Sequence, residues 1–181
     1  TSDTGGKKWV RVVWGDRRAA DQVFSGVLRK IGSNTLFQQQ MAQNALQHRP
    51  PIGRLRDFVV ARSGAEKDTL DIKVQGLGPF VDGARLLALA NGIAASNTQE
   101  RLQQLRQRGV LDPLDADAYI EGYQFIQLVR MQQHQQQDRE QRPFSNRLDP
   151  DSLNQLDRRI LRESFRQAKR LQGSLALRYN L

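Results

Sequence analysis

The sequence predicts a mainly α-helical protein, an antiparallel bundle of about six helices with a small β-hairpin inserted. Two observations predict this class. Apolar residues recur every three or four positions through most of the chain, which is the period of an amphipathic helix. Residues that favour helix ends flank these periodic segments, and the connections between them are short. Long helices with short connections pack side by side in a bundle.

The front of the chain differs in pattern from the rest. Residues 1–13 contain a Gly5-Gly6 pair and a short apolar alternation around Trp9, which is typical of a linker with an edge strand. Helical periodicity begins soon afterwards. We therefore predict a linker and edge segment at 1–13 and one helical domain at 14–181.

Two helices are predicted before the first prolines. The first begins after Asp16 and ends at Gly32, because glycine readily adopts the conformation that follows a helix. Ser33 or Asn34 can cap the second helix with a side-chain oxygen. That helix ends by Pro50, since proline lacks an amide hydrogen and restricts the residue before it.

A small hairpin is predicted next, with strands at 58–61 and 69–74 on either side of the turn-rich segment 63–67. Alternate residues of a strand share a face, so Asp71 and Lys73 are expected to point away from the core together. Such a face can bind a polar or phosphate-bearing ligand, or it can simply be solvated.

Two shorter helices follow the hairpin. Pro79 suits a first helical turn and opens a helix that runs to Gly92. Asn97 and Glu100 have the spacing of a capping box, and they open a helix that ends near Gly109.

These two helices carry four candidate binding residues. Asp82 and Arg85 lie three positions apart at the start of one, and Asn97 and Arg101 open the next. An ion pair within a helix contributes only about 0.2–0.5 kcal/mol, so stability alone is a weak reason for Asp82 and Arg85. Asn97 can serve as a helix cap or contact a ligand.

Two long helices complete the predicted bundle. One spans about 113–140 and is closed by Pro143, and the other follows Asp149-Pro150. One face of the first changes from apolar to polar along its length. This seam comprises Tyr119, Tyr123, Ile126, Arg130, Gln133, His134 and Gln137.

A half-buried polar seam needs hydrogen-bonding partners. It can close on Gln172 and Arg166 of the last helix, or it can line a cleft in which Arg130 and His134 contact a ligand. A ribonuclease that uses this Arg and His is disfavoured, because only three residues lie between them.

The chain is strongly basic, with 28 Lys and Arg against 19 Asp and Glu, a formal net charge of +9 and a pI near 10.6. The cations are scattered singly, as on solvated helix faces. A nucleic-acid-binding helical domain remains an alternative. There is no cysteine, no apolar leader and no run of about 18 apolar residues, so we expect a cytoplasmic protein without membrane contact.

The residues needed for nucleotidyl transfer are missing. Transferases of the polymerase-beta type hold two metal ions on an Asp-x-Asp pair that follows Gly-Ser. No such pair follows Gly32-Ser33, and Asp68 and Asp71 have the wrong spacing for one strand face. With two histidines and no cysteine, a zinc site is not expected either. We therefore expect no catalytic residue, metal or cofactor in this chain.

Five segments, taken in order, resemble the nucleotidyltransferase substrate-binding domain found at the C-terminus of bacterial signalling proteins. They begin at Asn34 (NTLFQQQMAQNALQHRPPIG), Thr69 (TLDIKVQGLGPFVDGARLLALANGI), Asn97 (NTQERL), Leu128 (LVRMQQHQ) and Leu161 (LRESFRQAKRLQGSLALRY). The family pattern of Asp-Leu-Lys, Gly, Pro, Asp and Arg is similar to Asp71, Ile72, Lys73, Gly76, Pro79, Asp82 and Arg85. Isoleucine replaces the usual leucine.

This resemblance implies a non-catalytic domain that recognises the acceptor within a multidomain signal-transduction protein. Its partners would be an upstream nucleotidyltransferase-like domain, which uses Mg and a nucleoside triphosphate, and CBS and cyclic-nucleotide-binding modules. The acceptor is not identified and can be a protein. The candidate substrate- or nucleotide-binding residues are Asp71, Lys73, Asp82, Arg85, Asn97, Arg101, Arg130 and His134. A regulatory dimerisation module, with the chain as a homodimer, is a further alternative.

Overall fold

The computed structural model describes residues 17–53 and 58–181. These residues form six α-helices: α1 (Arg17–Ser33), α2 (Thr35–Ala45), α3 (Gly78–Ala90), α4 (Thr98–Gln107), α5 (Pro113–Arg139) and α6 (Gln155–Tyr179). The prediction of a mainly α-helical bundle is confirmed. The predicted segment at 1–13, with its edge strand, lies outside the described residues.

Side-chain caps determine where four of the helices begin. An oxygen of each cap accepts amide hydrogens of the first turn, which have no partner within the helix. The four caps are Asn34, Asn97, Asp112 and Asn154. The predicted starts of the second, fourth and fifth helices are thus confirmed. α6 begins later than predicted, because Pro150–Ser152 form a separate 3-10 turn.

A small two-stranded antiparallel sheet is present, but its strands are not both at the predicted positions. β1 (Leu70–Asp71) pairs with β2 (Arg147–Leu148), which lies on the far side of α5 in the sequence. The segment predicted as the first strand forms an isolated bridge between Phe58 and Ile52, and its Ala61 exchanges two backbone hydrogen bonds with Asp68 and Thr69 without extending the sheet. The sheet therefore joins distant segments of the chain, which local turn signals do not reveal.

The predicted strand at 69–74 is wrong beyond Asp71, because the chain turns there into a π-helix at Ile72–Leu77 that leads directly into α3. Oδ1 of Asp71 accepts the amide hydrogens of Lys73 at 3.0 Å and of Val74 at 2.8 Å. This cap starts the helical turn. Asp71 and Lys73 consequently do not share an outward strand face.

α3 lies at the centre of the bundle. It packs against α1, α2, α4, α6 and the π-helix, and its Phe80 and Leu87 are fully buried. α5 packs along α6, and the two carry Ile126 and Phe165 into the same core. Within the ranges 17–53 and 58–181, no helix is both long and apolar enough to span a membrane.

Candidate functional site

A cavity of about 360 Å³ opens between the π-helix, the start of α3 and the middle of α5. Three of the predicted site residues line it, namely Lys73, Asp82 and Arg130. The other lining residues are His48, Val74, Leu77, Gly78, Val81 and Gln127. The fold thus brings residues from distant parts of the sequence around one volume.

The π-helix places Lys73 in the lining of the cavity. Asp71 caps the first turn, and Oε1 of Gln75 accepts the amide hydrogen of Asp71 at 3.1 Å. Lys73 is exposed, and it takes part in none of the ion pairs among the described residues. Asp71 does not line the cavity. Its effect on the cavity is indirect, because its carboxylate holds the backbone amides of Lys73 and Val74 in place.

Arg130 reaches the cavity from α5, and Asn146 fixes its side chain. The Nε of Arg130 donates to Oδ1 of Asn146 at 2.7 Å. The carbonyl oxygen of Asn146 also accepts the amide hydrogen of Ile72 at 3.0 Å, one residue before Lys73. Asn146 therefore connects the helix that carries one cation with the turn that carries the other. Sequence reasoning missed Asn146, and no local pattern marks it.

Asp82 is paired within the structure. Nη1 of Arg85 donates to its Oδ1 at 3.0 Å. Arg101 is only 4% exposed, and its Nε donates to the carbonyl oxygen of Ala95 at 2.9 Å. Burial, followed by the charge of Arg85, lowers the pKa of Arg101 to about 10. Arg101 still carries its proton at neutral pH, and its neighbouring charges are those of Arg85 and Glu100.

Besides Asp71, Arg85 and Arg101, the predicted site residues Asn97 and His134 do not line the cavity. Asn97 caps α4 by accepting the amide hydrogen of Gln99 at 2.8 Å. The ring of His134 packs against Phe144 with the centroids 5.4 Å apart, and its buried Nε2 has no hydrogen-bond partner. The contacts of both residues therefore support local structure.

The polar seam of α5 closes on the segment before β2, and not on α6. Gln133 donates to the carbonyl oxygen of Arg147, and Gln137 exchanges two hydrogen bonds with the backbone of Ser145. Gln172 of α6 bonds elsewhere, to two carbonyl oxygens of the turn after α2. The seam is thus internal towards the end of α5 and lines the cavity nearer the middle of the helix.

A second cavity, of about 440 Å³, lies at the other end of α3 and contains none of the predicted site residues. Amide and hydroxyl side chains of α2, α3 and α6 dominate its lining. The side-chain amide of Gln38 already donates to the carbonyl oxygens of Ile31 and Gly32, at 2.8 and 3.0 Å. Its one charged residue among those described is Arg178, whereas the first cavity has the two cations Lys73 and Arg130 and the carboxylate of Asp82.

The first cavity is suited to binding. The described residues of its lining include no Ser, Thr, Tyr or Cys. In the part of the chain that the structure describes, no cluster of three or more His, Asp or Glu residues could hold a metal ion. Its lining offers apolar surface together with two cations, the amide of Gln127, the carboxylate of Asp82 and the imidazole of His48.

Comparison with known proteins identifies the family. Residues 35–179 match the family described as "Putative nucleotidyltransferase substrate binding domain", and this range includes the whole cavity lining. No curated protein and no solved structure gave a significant match. The matched range is well over half of the 181 residues, so the chain belongs to this family of nucleotidyltransferase substrate-binding domains.

Proposed function

We propose that the chain is a non-catalytic substrate-binding and scaffolding domain that holds the acceptor of a nucleotidyl transfer. The observation that carries this proposal is the cavity that gathers Lys73, Asp82 and Arg130 from three elements. Family membership supplies the class of reaction. Lys73 and Asp82 also belong to the sequence pattern that resembles the family, so pattern and geometry coincide at one place.

The predicted site residues have different roles in this proposal. Lys73, Asp82 and Arg130 contact the substrate or nucleotide. Arg85 holds Asp82 in place, and Arg101 supports the fold through its hydrogen bond to the carbonyl oxygen of Ala95. The remaining three support the fold around the cavity, namely Asp71, Asn97 and His134.

The parent protein of the proposal is a cytoplasmic, bacterial signal-transduction protein. Its upstream nucleotidyltransferase-like domain binds Mg and the nucleoside triphosphate, and its CBS and cyclic-nucleotide-binding modules regulate transfer. The resemblance in the sequence supports this arrangement. The acceptor is unassigned, with a protein as one candidate. Homodimer formation is a further expectation, which light scattering of the purified chain tests.

The absence of catalysis is tested directly. The purified chain, incubated with Mg and each labelled nucleoside triphosphate, should transfer no label, because the cavity lacks the paired aspartates that hold two metal ions. Robust transfer by the pure chain would overturn the non-catalytic assignment.

A larger side chain in the lining tests whether the acceptor binds in the cavity. In the parent protein, Val81→Phe places a ring in the lining and should reduce nucleotide transfer to the acceptor roughly tenfold or more. Val59→Phe is the matched control, because Val59 is 51% exposed and lies outside the lining. Unchanged transfer by Val81→Phe, with the melting temperature also unchanged, would contradict the proposed site.

The alternative of nucleic-acid binding rests on the net charge of +9. Among the described residues, Arg159, Arg162, Lys169 and Arg178 of α6 take part in no ion pair and remain available to phosphates, whereas the other three cations of this helix are already paired. These pairs are Arg158 with Asp151, Arg166 with Glu163, and Arg170 with Asp115. Titration with RNA and duplex DNA at low salt tests this function, and micromolar binding with a steep salt dependence would establish it.

A further inference from the structure

We propose that the cavity selects a small ligand in which one anionic group, a phosphate or a carboxylate, is joined to an apolar body. This inference rests on the proposed function and names the class of substrate that the site takes. Three features carry it: an excess of cations, an arginine side chain that is oriented in advance, and an apolar part of the lining.

The charges that line the cavity are unbalanced. Asp82 is the one carboxylate in the lining, and it is already bonded to Arg85 at 3.0 Å. Lys73 and Arg130 take part in no ion pair within the described ranges. In a partly enclosed volume, the attraction between such cations and an anion is stronger than in open water. Both cations are therefore available to one anionic group.

The side chain of Arg130 is oriented before any ligand binds. Its Nε donates to Oδ1 of Asn146 at 2.7 Å, which fixes the plane of the guanidinium group. The Arg130 side chain makes no other hydrogen bond in the part of the chain described. Its terminal N–H groups can bond two oxygens of a phosphate or carboxylate side by side. Because the group is already ordered, less entropy is lost on binding.

The rest of the lining favours an apolar group of limited size. Val74, Leu77 and Val81 contribute aliphatic surface. Leu77 is 4% exposed and Val74 is 38% exposed, so this surface extends from the core to the outside. The volume of about 360 Å³ is at the low end of the usual range for ligand sites, about 300–1,000 Å³. A body of about one aromatic ring therefore suits it.

The test is an NMR titration of the 181-residue chain with small probes. Phenyl phosphate and benzoate combine an anion with a ring, whereas inorganic phosphate lacks the ring, benzyl alcohol lacks the charge and benzylamine reverses it. We expect phenyl phosphate or benzoate to shift the amide signals of Gly78 and Val81. At least one of them should bind roughly tenfold more tightly than the other three probes. The tighter of the two identifies the anionic group.

Charge variants connect this binding with the two cations. Arg130→Ala and Lys73→Ala should each weaken the binding of phenyl phosphate roughly tenfold. Arg130→Lys keeps the charge but loses the paired N–H groups, so part of the loss in affinity for phenyl phosphate should remain in this variant. Lys169→Ala is the control, because Lys169 is exposed on α6 and lies outside the lining. The amide spectrum of each variant shows whether it is folded.

The outcomes separate the ligand class from the function. If benzyl alcohol or benzylamine binds as tightly as phenyl phosphate, the ligand does not need an anionic group. If inorganic phosphate binds as tightly, the ligand does not need an apolar body. If no probe shifts the cavity signals while Val81→Phe still blocks acceptor modification in the parent protein, the ligand class alone is wrong. If Val81→Phe leaves that modification intact, the proposed function fails as well.

Discussion

α3 is closely packed in its middle and borders an open volume at its first residue. A Cβ atom on Gly83 would lie 2.9 Å from Cδ2 of Leu171 and 3.3 Å from Cδ1 of Leu175. A Cβ atom on Gly78, less than two turns earlier, would meet nothing nearer than the carbonyl oxygen of Lys73 at 3.8 Å. The same helix therefore has no spare space against α6 and has room to spare beside the cavity.

The difference separates two roles within the molecule. The packing of α3 against α6 fixes the positions of the residues, and the cavity lining is available to a ligand. Close packing against α6 leaves the side chains there one arrangement and excludes water. At the cavity, Lys73 and Arg130 form no ion pair with any residue that the structure describes. Their positions depend on the packed frame, while their charges remain for a ligand. Changes in the frame should therefore alter stability, and changes at the cavity should alter binding.

Gly83→Val should have the largest effect on stability. Two γ-carbons would be added to a Cβ that already overlaps Leu171, and the expected loss is about 3 kcal/mol in the free energy of unfolding. Gly173→Val on α6 is the matched control, because a Cβ there meets nothing within 4 Å and its cost should be near zero. Urea unfolding measures both. Equal effects would show that α3 and α6 are not closely packed here.

Gln172→Leu should follow in size. Gln172 is 6% exposed, and its amide donates to the carbonyl oxygens of Ala45 and His48 at 2.8 Å each. Leucine leaves both oxygens without a donor, which should cost about 2 kcal/mol of unfolding free energy. Gln103→Leu, an exposed position on α4, should change it little. Because His48 also lines the cavity, this variant links the packed frame with the site.

Features that depend on residues close together in the chain could be predicted from the sequence. Asn34 and Asn97 could be identified as caps because a cap bonds amides two or three residues away. The fold class and the two long helices followed from apolar periodicity. The cavity residues Lys73 and Asp82 were found because they belong to a recognisable pattern, although Lys73 was placed on a strand.

One of the features that were missed is a local cap hidden by a strand-like pattern, and the other depends on distant partners. Leu70, Ile72 and Val74 alternate as in a strand, but the carboxylate of Asp71 caps the next amides and the backbone coils into a π-helix. Asn146 matters because its two oxygens meet Ile72 and Arg130 from across the fold. Such contacts leave no periodic or spacing signal in the chain.

Asn146→Ala should affect binding more than stability. Arg130 would lose the acceptor that orients its guanidinium group, so we expect phenyl phosphate to bind about fivefold more weakly. The unfolding free energy should fall by about 1 kcal/mol or less, since Asn146 is only half-buried. Asn146→Asp keeps an oxygen for Arg130 but adds a negative charge, and it should weaken anion binding further. Asn44→Ala, an exposed position on α2, should leave the affinity unchanged.

Gly78→Ala should have the smallest effect, and its two consequences should be opposite in sign. Gly78 has helical backbone angles, and the added methyl group meets no atom closer than 3.8 Å, so the variant should gain up to about 1 kcal/mol in unfolding free energy. The same methyl group enters the cavity lining and should weaken phenyl phosphate binding about threefold.

Gly26→Ala in α1 is the matched control, because its methyl group also meets open space and lies away from the cavity. It should gain similar stability, as urea unfolding would show, without any change in affinity. Loss of stability in Gly78→Ala, or unchanged binding in an NMR titration, would mean that the first turn of α3 does not border the ligand.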